Sequence, residues 1–223
     1  MTYSTSIKAI IAAVRSLFGH RRSLLLMLAV YAGLLTAIYL FVSTREATVS
    51  QLVLTLVTVI AAPALFFVLQ AAIVGPTSRG LIKRSVMLLV VSTPVVALTV
   101  AAVYGLGKFQ AHPTIVTTVR YLAWAVIAPL LMVQLWIAVS NGGVRVRKIL
   151  TRAFAPQSMF VYACGFVMFA IAPYWLLHKA IPAHRPWLEI SLIVARLSLT
   201  ALLILLGWAL TVRALSILNA TKS

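Results

Sequence analysis

Residues 51–74 read QLVLTLVTVIAAPALFFVLQAAIV and contain no charged side chain. A hydrocarbon layer about 30 Å thick is crossed by about 20 apolar residues in a helix, so this segment is long enough to span a bilayer. Lipid offers its backbone no hydrogen-bond partner, and a single segment satisfies its own N–H and C=O groups only as a helix. The segment therefore predicts a transmembrane α-helix.

Five further apolar runs of similar length occur along the chain. They lie at roughly 23–43, 86–105, 121–141, 157–177 and 187–210. The chain is 63% hydrophobic and 9% charged, with a mean hydropathy of +1.08, and a water-soluble core cannot hide so much apolar surface. The short alternating segments of a transmembrane barrel are missing. We predict an all-α polytopic bundle in which residues 23–210 form one domain of six spans, with hairpins at 23–75, 86–141 and 157–210.

Lysine and arginine are divided unequally between the two sides of this predicted bundle. One side, called the basic side below, carries Lys8, Arg15, Arg21, Arg22, Arg79, Lys83, Arg84, Arg145, Arg147, Lys148, Arg152, Arg213 and Lys222. The opposite side carries only Arg45, Lys108, Arg120, Lys179 and Arg185, while Arg196 lies within a span. Because basic loops are retained in the cytoplasm, both termini, including the tail 211–223, are expected there, in a plasma membrane of the bacterial inner-membrane type.

Residues 1–22 combine apolar and basic side chains at helical spacing. The apolar positions are Ile7, Ile10, Ile11, Val14, Leu17 and Phe18, and Lys8 and Arg15 lie elsewhere around the axis. This pattern predicts a cytoplasmic, interfacial amphipathic helix. Two roles stay open for it: a collar that seats the first span, or a sensor of lipids or of a partner. The apolar run that follows is a full span and not the short core of a signal peptide, so we expect it to remain in the protein.

Two prolines suggest an internal repeat. Pro63 in the second span and Pro129 in the fourth are 66 residues apart, and Arg196 occupies the corresponding position 67 residues later in the sixth. Basic clusters recur in similar phase. We therefore hypothesise three helical hairpins of about 66 residues, related by an axis along the membrane normal.

Small residues form stripes in two of the spans. Ala29, Gly33 and Ala37 recur every fourth residue in the first span, and Ala97, Ala101 and Gly105 do so in the third. Such stripes let helix backbones approach closely. We expect both to serve packing within the chain, with contacts between copies as the alternative; the fifth span has no equivalent stripe.

The candidate polar site is centred on Arg196, because a charge near the middle of a span costs about 2.5 to 3.5 kcal/mol. Glu189 lies seven residues earlier in the sixth span. Pro63 and Pro129 deprive the carbonyls of Val59 and Ala125 of their helical donors, and the five donors of Arg196 could satisfy them if the repeat is real. A structural lock and a site for an anion or a lipid headgroup are the two interpretations. Gln70 and Gln134 are expected to hydrogen-bond between helices.

Catalytic groups are scarce. Glu46 and Glu189 are the only carboxylate side chains, there is no Asp, and Cys164 is the only cysteine. Residues 179–186 read KAIPAHRP and superficially resemble the first motif of lipid-phosphate phosphatases. That motif is one residue short here, and the later Ser-Gly-His and His-Asp elements of the family are absent. His112, His178 and His184 all map to the opposite side, and their spacing is not that of a zinc site. We predict no catalytic, metal or cofactor site.

Two functional classes lead, with an intramembrane enzyme as a third. The leading hypothesis is a non-catalytic membrane subunit or binding protein that contacts anionic lipids or a partner protein through its basic side. The alternative is a permease or channel for a small anionic or amphipathic solute, with Arg196 as the countercharge and Glu189 as the site of a proton. Nucleic acid is not an expected partner, because the basic residues are dispersed between hydrophobic spans.

Overall fold

A computed structural model describes residues 2–45, 48–75, 80–108, 113–141, 143, 145–179 and 186–221. Every regular element in these ranges is helical: α1 (Thr2–Gly19), α2 (Arg21–Ser43), α3 (Val49–Val74), α4 (Leu81–Lys108), α5 (Pro113–Leu122), π1 (Ala123–Ile127), α6 (Ala128–Ser140), α7 (Val146–Ala153), α8 (Pro156–Phe166), π2 (Val167–Ile171), α9 (Ala172–His178) and α10 (Pro186–Ala220). The segments α5–π1–α6 and α8–π2–α9 are each continuous.

Six helices in the described ranges are long and apolar enough to cross a membrane. They are Arg21–Ser43, Val49–Val74, Leu81–Gly105, Pro113–Ser140, Pro156–His178 and Trp187–Ala220. The predicted all-α fold with six spans is therefore confirmed, and the chain is a multi-pass membrane protein. The largest difference is at the last span, which continues ten residues beyond the predicted end at residue 210.

The chain divides into two compact units. Unit 1 comprises Met1–Gly19 and Phe154–Ser223, and unit 2 comprises His20–Ala153. Within unit 2, α2 packs against α3 and α4 against α6; within unit 1, α10 packs against α8, π2 and α9. Each predicted hairpin is therefore a packed pair of helices. The single transmembrane domain at 23–210 stays a prediction.

In unit 1, α1 lies against α8 and α10. Tyr3 and Phe160 meet edge to face with ring centroids 5.1 Å apart, and the Ser6 hydroxyl donates to the Gln157 carbonyl at 3.5 Å. The buried face of α1 is formed by Ser6, Ala9, Ala13 and Leu17. The predicted apolar face is therefore divided: Leu17 points into the unit, whereas Ile7, Ile11, Val14 and Phe18 are exposed.

The fifth and sixth spans cross at two glycines. A methyl group added to Gly207 of α10 would lie 2.9 Å from the backbone nitrogen of Phe169, and one added to Gly165 of α8 would overlap the Thr211 hydroxyl. At Gly207, only a residue without a side chain lets the two backbones approach so closely. Phe169 also packs edge to face on Trp208, with centroids 5.3 Å apart. The tight contact lies in the span for which the sequence indicated no small-residue stripe.

Two of the prolines follow π-helical segments. The N–H of Ala128 donates to the carbonyl of Ala123, and the N–H of Ala172 donates to that of Val167. In each case the next residue is a proline, Pro129 or Pro173. Such single-turn widenings are common where the regular hydrogen-bond ladder is interrupted. Pro129 thus shares its backbone setting with Pro173 of the fifth span.

Pro63 and Pro94, in contrast, lie inside continuous α-helices. The sequence alignment of Pro63 with Pro129 is therefore not matched by a shared local conformation. The strict three-hairpin repeat stays a hypothesis.

In unit 2, α4 and α6 are joined by a buried hydrogen bond. The Trp136 indole N–H donates to the Ser92 hydroxyl at 2.7 Å, and that hydroxyl donates to the Leu88 carbonyl at 2.6 Å. Both Trp136 and Ser92 are 1% exposed.

The two predicted small-residue stripes differ in burial. In the first span, Ala37 is buried and a methyl group on Gly33 would lie 3.7 Å from Leu65 of α3, but Ala29 is exposed. In the third span, Ala97 and Ala101 are exposed. The expectation that the third-span stripe packs within the chain is therefore wrong, because α4 turns its Leu88 and Ser92 side inward instead.

Candidate functional site

Arg196 binds the end of the fifth span. Its Nε and Nη2 groups donate to the main-chain carbonyls of Leu176 and Lys179, at the C-terminus of α9. The last carbonyls of a helix lack partners within the helix, and a cation is stabilised there by the helix dipole. The half-buried guanidinium therefore acts as a cap for α9.

These contacts change the depth assigned to Arg196. Since α9 ends at His178, Arg196 lies level with the end of the fifth span. The sixth helix runs to Ala220, so the midpoint of Trp187–Ala220 falls between Leu203 and Ile204. Arg196 therefore lies toward one end of its helix and not near the middle, as its position in the shorter predicted span had indicated.

Glu189 is exposed and lies in the first turn of α10. A carboxylate at that position is stabilised by the helix dipole, which gives it a structural role without any ligand. Seven residues of helix separate it from Arg196 by about 10 Å along the axis. A functional pairing of the two stays a prediction.

The other predicted site residues belong to unit 2. Pro63 is exposed and Pro129 is half-buried, whereas Gln70 and Gln134 are 1% and 2% exposed. Burial of both amides fits residues that hold helices together. The suggested contact of Arg196 with the carbonyls of Val59 and Ala125 joins residues of different units and stays a prediction.

Arg213 is the charged residue that the sequence did not single out. It is 5% exposed, and its Nη1 group donates to the Ser16 hydroxyl of α1 at 3.4 Å. Residues 211–223 were predicted to be a tail, yet α10 continues to Ala220 and buries Thr211, Leu215 and Leu218. The apolar residues at helical spacing on both sides of this arginine could have indicated that the last helix continues.

A small cavity of about 70 Å³ lies in unit 1. Ile10 of α1, Cys164 of α8, Met168 of π2 and Leu210 of α10 contribute to its walls. The lining is apolar, so the space suits hydrocarbon and offers no charge to a polar solute.

The basic connection between the fourth and fifth spans contains the short helix α7. In α7, Ile149 and Ala153 are buried, while Arg147 and Lys148 are exposed. In unit 2, which also contains α7, the Arg84 guanidinium lies against Gly75 at the C-terminus of α3, where a methyl group would come within 3.0 Å of its Cζ. A cation at this helix end is again favoured by the dipole.

The candidate metal ligands are dispersed in the part of the chain that the structure describes. No group of three or more His, Cys, Asp or Glu side chains lies together there. His178 shares a hydrogen bond of 2.8 Å with the Tyr174 carbonyl. The remaining predicted polar and basic residues Glu46, Arg79, His112, His184, Arg185 and Lys222 lie outside the described residues.

Comparison with protein-family models, with curated proteins and with solved structures gave no match. Function is therefore inferred from the geometry and chemistry of the chain itself.

Proposed function

We propose that this protein is a non-catalytic membrane subunit or binding protein whose basic side contacts the anionic headgroups of the bilayer. The proposal places both termini and the basic loops in the cytoplasm of a bacterial cell, on the inner leaflet of its plasma membrane. A partner protein recruited to the same surface is a compatible second ligand. No substrate is converted.

The observation that carries the proposal is the way α1 is seated. Its small residues face α8 and α10, while five large apolar side chains point outward: Tyr3, Ile7, Ile11, Val14 and Phe18. Lys8 and Arg15 are exposed on a neighbouring face of the same helix. A basic helix with an outward apolar stripe suits the boundary between headgroups and acyl chains. Its apolar stripe can contact the acyl chains there, while its basic side chains contact the headgroups.

Charge favours a lipid surface over an acidic pocket within the protein. The chain carries nineteen Lys and Arg against two acidic residues, so most cations have no carboxylate in the same chain to pair with. An anionic membrane surface attracts each nearby basic side chain by about 1 kcal/mol. The summed attraction suits a peripheral lipid-binding role.

Co-purified lipids test this proposal. The protein is extracted gently from its membrane, and bound lipids and proteins are identified by mass spectrometry. We expect anionic phospholipid enriched over its share of the membrane. Replacing Lys8 and Arg15 by Gln should reduce the enrichment, whereas replacing Arg45 and Arg120 on the opposite side should not. Lipid bound without regard to charge contradicts the proposal.

The permease alternative requires Arg196 to face a solute. Two of its N–H donors already bind carbonyls of α9, which supports a structural role. Arg196→Leu should therefore lower the free energy of unfolding by about 1 to 3 kcal/mol, since two charge-assisted hydrogen bonds are lost. Arg196→Lys should recover part of that loss, and Arg120→Leu, an exposed basic residue, serves as the control.

Flux measurements decide between the two roles. Liposomes that contain the purified protein are loaded with chloride, phosphate or a short-chain carboxylate. Faster efflux than from empty liposomes, abolished by Arg196→Leu in protein of unchanged stability, would establish the permease and reject the binding protein.

A further inference from the structure

The helix α7 has three distinct faces. Ile149 and Ala153 are buried in unit 2, where α7 packs on α6. Val146 and Leu150 continue the apolar arc around the axis but are 69% and 44% exposed. The apolar arc of α7 is thus wider than the part that the protein covers.

The rest of the circumference is polar and mostly cationic. Arg147, Lys148 and Arg152 follow one another around the polar arc, and Arg145 lies just before the helix. No acidic residue occurs in α7, and the only carboxylate side chains of the chain are Glu46 and Glu189, far away in sequence. The helix therefore lacks the i,i+4 carboxylates that would balance its charge.

The position of α7 in the chain ties it to the membrane surface. The fourth span ends at Ser140 and the fifth begins at Pro156, so fifteen residues connect two membrane crossings. A helix held between two spans in this way cannot move far from the headgroup layer. Its exposed apolar residues and its cations then lie where acyl chains and phosphates are found.

We propose that α7 lies in the plane of the bilayer on the basic side and binds the phosphates of anionic phospholipids. Val146 and Leu150 enter the upper acyl region, while Arg147, Lys148 and Arg152 contact the headgroups. This inference rests on the proposed function and names a site for it. A bilayer fits better than an acidic protein or a nucleic acid, because it presents apolar and anionic layers side by side along the whole helix.

Two neighbouring positions test the orientation of α7. In a Cys164→Ser background, which removes the only cysteine, Leu150→Cys and Thr151→Cys are each labelled with an environment-sensitive fluorophore in vesicles containing anionic phosphatidylglycerol. Both native side chains are exposed and neither is charged. We expect the label at 150 to be blue-shifted and quenched by brominated lipid, and iodide to quench it about threefold less than the label at 151. Equal iodide quenching at the two positions would show α7 in water and overturn the proposal.

Charge removal tests the lipid site. Arg147→Gln, Lys148→Gln and Arg152→Gln are combined, with Arg45→Gln, Arg120→Gln and Lys179→Gln as the matched triple on the opposite side. Vesicles of mixed phosphatidylglycerol and phosphatidylcholine are used, and retained lipid is counted by native mass spectrometry. One basic residue at an anionic surface gives about a fivefold preference, so the α7 triple should lose at least that factor and the control should not.

The outcomes separate this inference from the proposed function. If the wild type enriches phosphatidylglycerol and the α7 triple does so equally, α7 is not the site, and the proposed function stands. If the wild type shows no preference, both fail. Loss of a co-purified acidic protein in the α7 triple, with lipid retention unchanged, would assign the surface to a protein partner and overturn the lipid site.

Discussion

The crossing of α8 and π2 with α10 in unit 1 and that of α4 with α6 in unit 2 are built in different ways. In unit 1, Gly207 lies against the backbone of Phe169, and Gly165 leaves room for the Thr211 side chain. In unit 2, Trp136 and Ser92 keep their side chains and join them by a buried hydrogen bond. One crossing is held by close packing and the other by a polar contact.

The difference shows two solutions to one problem. Lipid is as apolar as the helices themselves, so membrane helices gain little from hydrophobic burial and rely on close packing and interhelical hydrogen bonds. Added volume at the packed crossing should lower the free energy of unfolding most. Removing one partner of the hydrogen bond should lower it less. Substitutions in the two crossings should therefore differ in size.

The largest effect is expected at Gly207. Gly207→Ala would place a methyl group 2.9 Å from the backbone nitrogen of Phe169, and backbone cannot yield as a flexible side chain does. We expect the free energy of unfolding in mixed micelles to fall by about 1 to 3 kcal/mol, the usual cost of overpacking. Gly33→Ala is the matched control, since its methyl group would meet Leu65 at 3.7 Å. Equal stability of the two variants would refute a tight crossing in unit 1.

A smaller effect is expected at the hydrogen bond of unit 2. The interaction energy between Trp136 and Ser92 should be about 0.6 to 1.7 kcal/mol, the range found for hydrogen bonds between membrane helices. A double-mutant cycle of Trp136→Phe and Ser92→Ala measures this energy. Unfolding is followed by intrinsic tyrosine fluorescence or by circular dichroism. Strict additivity of the two substitutions would mean that the contact contributes nothing.

The smallest effect is expected at the stripe of the third span. Ala97→Leu and Ala101→Leu add volume to exposed positions, and surface substitutions usually change stability by less than about 0.5 kcal/mol. Thermal unfolding should match the wild type. A marked loss of stability, or a change in apparent mass in detergent, would show that this face packs against another copy of the chain.

The two crossings and the third-span stripe together show why small residues are an unreliable guide to contacts. The stripe at Ala97 and Ala101 has the right spacing and is exposed, whereas Gly165 and Gly207 belong to no predicted stripe and lie in a tight contact between two spans. Spacing shows which residues share a face of one helix. It carries no information on which face meets a neighbour.

The two arginines of α10 illustrate the same limit. Arg196 attracted attention because it interrupts an apolar run, yet it caps the end of α9. Arg213 was assigned to the cytoplasmic tail 211–223, yet it is buried and donates to the Ser16 hydroxyl of α1. Ser16 lies near the start of the chain and Arg213 near its end, so no local window of sequence includes both residues.

The helix α7 was missed for another reason. Its eight residues are too few for a hydropathy window. The four basic residues in and just before it were used only to predict which side of the membrane they occupy. Its apolar and basic arcs are nevertheless a property of the sequence, since helical spacing alone separates Leu150 from Arg147 and Lys148.

The amino-acid sequence by itself determined the six spans and the all-helical class, because transfer into lipid and closure of backbone hydrogen bonds depend on each segment alone. Only the tertiary structure decided which faces meet, which arginine is buried and where the glycines matter. Those outcomes depend on distances between segments far apart in the chain, and every apolar helix offers several faces that lipid would accept equally well.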